Sequence, residues 1–286
     1  MGALLIVAAA VTWGTTGATM KLVAAGSPMS PLLVGLLRVG FAAPCLWLAA
    51  RWLAGPVRLP EREDRGRVLV AGLAMGAFQA CYFWGVAKTS VAVGSLIAIC
   101  SAPLLITLLA ALFLGERIDR LTWAALLIGI TGTVLLTAGP HGLSGLPPGF
   151  GTGVMLALAA GLAYAVYAVS VKSLVHRVPP LTIAALTFSV AALSLLPSLL
   201  FEWPVADARA WALLAYLGVV PTAAAYIIYM IGLRTTRVTV SGVLTLAEPL
   251  TATTLGVLFF GDRLGLIGAV GAMLLISAVL SLTTRR

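Results

Sequence analysis

The sequence predicts an all-α membrane protein of ten transmembrane helices arranged as two inverted five-helix repeats. Three observations carry this. The 286 residues are 61% hydrophobic and only 9% charged, where a soluble domain carries roughly 25% charged residues. The apolar residues come in runs about as long as a spanning helix needs, roughly 17–25 residues. Two of those runs, with their flanks, are near copies of each other, and a repeat in so apolar a chain is a feature of two-repeat membrane proteins. Strands of a closed β-barrel would alternate over short segments instead.

In chain order the predicted spans are 3–24, 31–53, 68–87, 91–114, 121–138, 152–173, 181–201, 210–231, 238–260 and 264–282. The first run lacks the basic start and short apolar core of a signal peptide, so it reads as a retained helix. Ile6 stands where a myristoylation motif needs Ser or Thr. The runs 121–138 and 264–282 are short, and for either one a re-entrant segment is the competing reading. Sorting the loops by parity puts thirteen Lys and Arg on the side of the termini, among them Arg51, Arg58, Arg62, Arg65, Arg67 and Arg117. Only Lys21, Lys88, Arg209 and Arg263 fall on the other side. The positive-inside rule then predicts cytoplasmic termini. Topology accounts for the net charge of +9, with anionic lipid as a secondary partner. A nucleic-acid patch would need the bases gathered on one face.

The repeat is clearest between 88–117 (KTSVAVGSLIAICSAPLLITLLAALFLGER) and 234–263 (RTTRVTVSGVLTLAEPLTATTLGVLFFGDR), at a constant offset of 146. Upstream, AVTWGTTGATMK at 10–21 aligns with GLAYAVYAVSVK at 161–172 at an offset of 151, pairing Trp13 with Tyr164 and Lys21 with Lys172. The offset falls where the first half carries the charged loop 54–67, and surface loops tolerate such insertions. The expected division is 1–138 for one repeat, 139–151 for a Gly/Pro-rich linker and 152–286 for the other. Five spans per half make the second repeat enter the membrane from the opposite face. Such halves can exchange conformations and so expose a central site to each side in turn.

Several function classes are set aside. Cys45, Cys81 and Cys100 lie in apolar spans with no zinc-like spacing. Both histidines, His141 and His176, are in predicted loops, which leaves no H-E-x-x-H or Ser-His couple at membrane depth for an intramembrane enzyme. No P-loop is present, and Gly149-x-Gly151-x-Gly153 opens a span rather than a dinucleotide fold. No cofactor or metal is implied. A purely structural membrane protein would not need matched prolines and midplane polar groups in both repeats.

Trp13-Gly14, Arg38, and the pair APLLITLLAALFLGERI (102–118) and EPLTATTLGVLFFGDRL (248–264) resemble the drug/metabolite transporter superfamily, EamA branch, over nearly the whole chain. The resemblance implies a ten-helix secondary transporter, expected in a bacterial inner membrane; a monomer is one option, and the sequence leaves the oligomeric state open. Its substrate would be a small organic metabolite, and the general likeness is to exporters of aromatic and other neutral amino acids. Cationic drugs and nucleotide sugars are the alternative substrate classes. The repeats are unequal, with Ala102 opposite Glu248 and Glu116 opposite Asp262.

Depth along the spans selects the candidate binding residues. Trp13 and Tyr164 fall near the middle of an apolar slab about 30 Å thick, whereas belt aromatics belong at its edges. Thr16 shares a helical face with Trp13, and Tyr167 with Tyr164. Gln79 and Tyr82 share a face of the third span, and Thr222, Tyr226 and Tyr229 one of the eighth. Polar-tipped aromatics suit a neutral, partly apolar ligand; the competing reading is interhelical hydrogen bonding. Glu248 and Arg38 are charges at depth, and such charges are costly. They either pair as a strut, or Glu248 takes a substrate ammonium or a proton. Pro103 and Pro249 interrupt matching helices as bending points or fixed kinks. The predicted site is thus a midplane cavity lined by Trp13, Thr16, Gln79, Tyr82, Tyr164, Tyr167, Tyr226 and Glu248.

Overall fold

The computed structural model describes residues 1–53, 55, 59–89, 91–137, 149–260 and 265–283. Arg58, His141, most of the Gly/Pro-rich linker, Asp262, Arg263, Arg285 and Arg286 lie outside the described residues. The described residues form ten helical spans. The first five are α1 (Gly2–Ala25), α2 (Pro31–Leu53), α3 (Arg62–Lys88), α4 (Val91–Leu114) and α5 (Arg120–Thr137). The second five are α6 (Phe150–Leu174), α7 (Pro180–Leu195, continued by a 3-10 turn over Leu196–Leu200), α8 (Ala208–Thr235), α9 (Val238–Leu244 followed by Ala247–Phe260) and α10 (Leu266–Thr283). Nine are long and apolar enough to cross a membrane. The tenth, α5, has 18 residues, which at roughly 1.5 Å per residue is about 27 Å.

The two short spans, α5 and α10, are continuous helices that pack on each other, so neither is re-entrant. Gly132 permits the approach: a methyl group there would come 2.8 Å from the Gly271 carbonyl oxygen and 2.9 Å from the Leu275 nitrogen. Small residues at such crossings let backbones meet where no hydrophobic force drives helices together. One predicted edge moves. α3 begins at Arg62 rather than at residue 68, because Glu63 and Asp64 sit in its first turn, where the helix dipole favours acids. Buried Asp64 also holds Arg67 at 2.8 Å and Arg177 at 3.6 Å.

The repeats interlock. α6 packs against α3 and α4 of the first half, and α1 against α8 and α9 of the second. α2 meets α7, and α5 meets α10, each pair made of equivalent helices. Leu108, Leu112, Phe113, Leu258 and Ile276 are exposed on the outer surface, as a lipid-facing shell requires. Trp52 and Trp203 are exposed near span ends, in keeping with an interfacial belt.

Prolines shape three helices differently. Pro221 has no N–H for the Leu217 carbonyl, and the chain responds with a π-helical segment over Val219–Ala224; the Thr222 hydroxyl donates to the Leu217 oxygen at 2.7 Å instead. Pro249 likewise leaves the Thr245 carbonyl without its usual partner. α9 breaks at Thr245–Leu246, and the Glu248 N–H donates to the Thr245 oxygen at 3.0 Å. Pro103, the counterpart of Pro249, lies inside an unbroken α4. The matched prolines therefore do not make matched breaks.

Candidate functional site: an aromatic cluster between the repeats

Trp13 of α1 is almost fully buried, at 4% exposure. Its indole lies 4.8 Å from the Tyr226 ring, 5.3 Å from Tyr229 and 6.3 Å from Tyr164, measured between centroids. Tyr164 continues the cluster to Tyr167 at 6.1 Å and to Phe78 at 5.5 Å, and Phe78 reaches Tyr82 at 5.7 Å. Phe188 of α7 closes on Tyr226 at 4.8 Å. Helices α1, α3, α6, α7 and α8 thus bring one set of rings together from both repeats, at the offset or tilted geometries that ring quadrupoles favour.

The repeat symmetry is visible in the hydrogen bonds. The Tyr82 and Ser95 hydroxyls are 2.6 Å apart, and those of Tyr229 and Ser241 are 3.4 Å apart. Ser241 lies 146 positions after Ser95, and Tyr229 lies 147 after Tyr82. One residue is therefore gained between α3 and α4 relative to α8 and α9. With that shift Tyr226 is the counterpart of Gln79.

The predicted residues gather at this cluster. Trp13, Gln79, Tyr164, Tyr167 and Tyr226 are buried, and Thr16, Tyr82 and Glu248 are partly buried. Several buried polar atoms there lack hydrogen-bond partners among the described residues: Trp13 Nε1, Thr16 Oγ1, Gln79 Oε1 and the Tyr164 and Tyr167 hydroxyls. The Tyr164 hydroxyl neighbours that of Tyr229, and Tyr167 neighbours Thr187, without hydrogen-bond geometry in either case. Each such atom costs about 1–3 kcal/mol if left dry and unpaired. Buried polar groups of this kind are ordinarily satisfied by water or by a polar ligand.

The two intramembrane charges do not form the strut. Arg38, 7% exposed on α2, donates from Nε to Thr222 Oγ1 at 2.7 Å. Among the described residues no acidic oxygen lies within 4.0 Å of its guanidinium, and the Glu248 carboxylate has neither a hydrogen bond nor an ion pair. Each charge lies within electrostatic range of Tyr82 and Tyr226 and of the other charge, without touching it. Glu248 stands beside the break in α9, and Gly14 of α1 seats the backbone there: a methyl on Gly14 would come 2.7 Å from the Glu248 carbonyl oxygen.

The repeated LGER element has a role that its sequence does not disclose. Gly115 ends α4 with φ +64°, a left-handed conformation that glycine adopts without strain. The Glu116 side chain then reaches the start of α9. It accepts from the Val238 N–H at 2.9 Å, the Thr239 N–H at 3.1 Å and the Thr239 hydroxyl at 2.8 Å. Arg237 donates to Asp119 at 2.8 Å and to the Arg117 carbonyl at 2.8 Å. Lys172 donates to the Leu233 and Thr236 carbonyl oxygens at 2.6 and 2.8 Å. The bonds of Glu116, Arg117 and Asp119 tie the repeats together on the face that bears the N-terminus, and those of Lys172 fasten α6 to the end of α8 beside them. A Glu116→Ala variant is expected to melt several degrees lower in detergent, since a carboxylate cap of a helix contributes about 1–2 kcal/mol. An unchanged melting temperature would show that this latch carries no weight.

On the opposite half of the bundle a cavity of about 500 Å³ opens between α1, α8 and α9. It is lined by Thr15, Ala18, Thr19, Leu22, Leu213, Tyr216, Leu255 and Phe259, and the Tyr216 hydroxyl donates to Thr15 Oγ1 at 3.0 Å. None of the predicted site residues lines it.

Residues 1–138 and 151–284 match the model of the EamA-like transporter family. The chain is 30% identical over 280 residues to the uncharacterized transporter YwfM of Bacillus subtilis (strain 168), covering 97% of this chain and 92% of that one. It is 35% identical over 156 residues to the aromatic amino acid exporter YddG of Ancylobacter novellus, covering 54% and 53%. It is 30% identical over 230 residues to the probable terminal-alkyne amino-acid exporter of Streptantibioticus cattleyicolor, covering 78% and 73%.

Proposed function

Because the chain belongs to the EamA-like transporter family, we propose that it exports neutral amino acids, aromatic ones foremost, across a bacterial inner membrane. The observation that carries this reading is the buried cluster of Trp13, Tyr164, Tyr226 and Tyr229, contributed by both repeats and set among unpartnered polar atoms. Rings accept an aromatic or aliphatic side chain; orphaned hydroxyl, amide and indole groups accept the polar end. The names of two relatives agree with an amino-acid substrate.

The excess of Lys and Arg on the side of the termini supports a cytoplasmic position for that side. On this orientation the bonds of Glu116, Arg237 and Lys172 close the cytoplasmic face, and the Thr15–Tyr216 cavity lies in the outer half. Alternating access then consists of undoing the inner bonds while the outer cavity closes, with the aromatic cluster as the fixed centre. The transporter is a monomer in this reading, with lipid and substrate as its partners.

Counterflow in proteoliposomes tests the substrate class. Vesicles loaded with unlabelled L-phenylalanine are expected to accumulate labelled L-phenylalanine above equilibrium, and protein-free vesicles are not. Counterflow confined to a cationic drug or a nucleotide sugar, with none for amino acids, would overturn the proposal.

A further inference from the structure

We propose that Arg38 and Glu248 are the two ends of a zwitterion cradle: the Arg38 guanidinium receives the substrate's α-carboxylate and Glu248 its ammonium, with Thr222 as the residue that aims Arg38. This rests on the amino-acid reading above and adds to it the groups that recognise the backbone part of the substrate.

The argument begins with cost. A guanidinium buried in a membrane span must be solvated by fixed partners or by a ligand. It has five N–H donors. The Nε–H is committed to Thr222 Oγ1 at 2.7 Å. The Thr222 hydroxyl gives its own proton to the Leu217 carbonyl at 2.7 Å, so a lone pair is left facing Arg38. This arrangement exists because Pro221 opens α8 into its π-helical segment and frees the Leu217 carbonyl. Gly218 fixes the distance between the helices: a methyl there would come 3.0 Å from the Arg38 carbonyl oxygen. With Nε tied, the guanidinium plane is held, and among the described residues its terminal nitrogens have no protein acceptor, which leaves the paired donors that a carboxylate takes in bidentate fashion.

Glu248 supplies the other end. Its carboxylate has no donor and no cation bound to it among the described residues, and it lies beside the break in α9. The first repeat offers Ala102 at the equivalent position, so the site has a single acid, as one ammonium requires. Tyr82 and Tyr226 feel both charges, which puts the aromatic cluster alongside the cradle. One cation and one anion sum to zero, as do the charges of the ligand. A zwitterion therefore exchanges its hydration for opposite charges at both ends, and no net charge is carried to membrane depth.

Ligand binding to the purified protein, followed by its tryptophan fluorescence, tests this with three probes. These are L-phenylalanine, L-phenylalaninamide, which lacks the carboxylate, and N-acetyl-L-phenylalanine, which lacks the ammonium. The wild type is expected to bind phenylalanine at least tenfold more tightly than either analogue. Arg38→Gln should weaken phenylalanine at least tenfold while leaving the amide unchanged, and Glu248→Gln should do the same relative to the N-acetyl compound. Thr222→Val should lose a few-fold for phenylalanine and nothing for the amide. Should Arg38→Gln fail to fold, the wild-type comparison of the analogues still decides. Equal wild-type affinity for phenylalanine and its amide would overturn the role of Arg38 while the amino-acid reading stood. Binding of none of the three would overturn both.

Discussion

Replacing Glu248 with Gln is expected to lower amino-acid counterflow at least tenfold while leaving the melting temperature in detergent nearly unchanged. The reason lies in what Glu248 does not touch. A buried acid paired to Arg38 would cost about 3–5 kcal/mol when its charge was removed, because a lone guanidinium would remain. Here Arg38 is held by Thr222, and among the described residues the carboxylate of Glu248 makes no hydrogen bond or contact ion pair and feels Arg38 only at a distance. Glutamine keeps the shape and removes only the charge. Folding should barely register the change, and a substrate cation should register it strongly. A large fall in melting temperature would return Glu248 to the role of a strut. Full transport in a stable variant would remove it from the pathway.

Trp13→Ala is expected to abolish transport, and Trp13→Phe to transport with clearly reduced substrate affinity. The indole contacts three tyrosines, so its removal costs about 3–5 kcal/mol as a matter of packing alone. The alanine variant by itself therefore confounds stability with function. The phenylalanine variant separates them. It keeps a ring among Tyr164, Tyr226 and Tyr229 and gives up only volume and Nε1, an atom with no hydrogen-bond partner among the described residues. Counterflow across a range of substrate concentrations, normalised to folded protein, is the measurement. Wild-type affinity in Trp13→Phe, with losses in Trp13→Ala that only follow the amount of folded protein, would make this ring ordinary core.

Much of the fold is legible in the amino-acid sequence. A helix hidden in lipid needs little more than apolar length, and that is written plainly in composition. Duplication leaves Trp13, Tyr164, Tyr82 and Tyr226 on helical faces whose depth can be counted. Partnerships across the repeats are not legible. Glu116 is visible as part of a repeated element, but its bonds to Val238 and Thr239 join residues more than a hundred positions apart, and no local pattern encodes them. Phe78 and Phe188 escape sequence reading because a phenylalanine that faces the cluster looks, in sequence, like one that faces lipid. Pro103 and Pro249 match by alignment yet differ in effect, since only Pro249 accompanies a break. The pairing of Pro221 with Thr222 is the signal most easily overlooked: a proline frees a carbonyl and the next hydroxyl claims it.

The interlocking of the repeats bears on how the protein is made. α6, when it emerges, meets α3 and α4 already in the bilayer. α1 leaves the ribosome well before its partners α8 and α9. Through most of translation the face bearing Ile6, Ala9, Ala10 and Trp13, buried in the finished bundle, must rest against lipid or the insertion machinery. α1 is tolerable in that interval because it is apolar over most of its length and three of its four hydroxyls bond to its own backbone, Thr12 to the Ala9 carbonyl, Thr15 to Thr12 and Thr19 to Thr15. Assembly is then a closure in which later helices return to claim an earlier one, and the first repeat is completed only by the second.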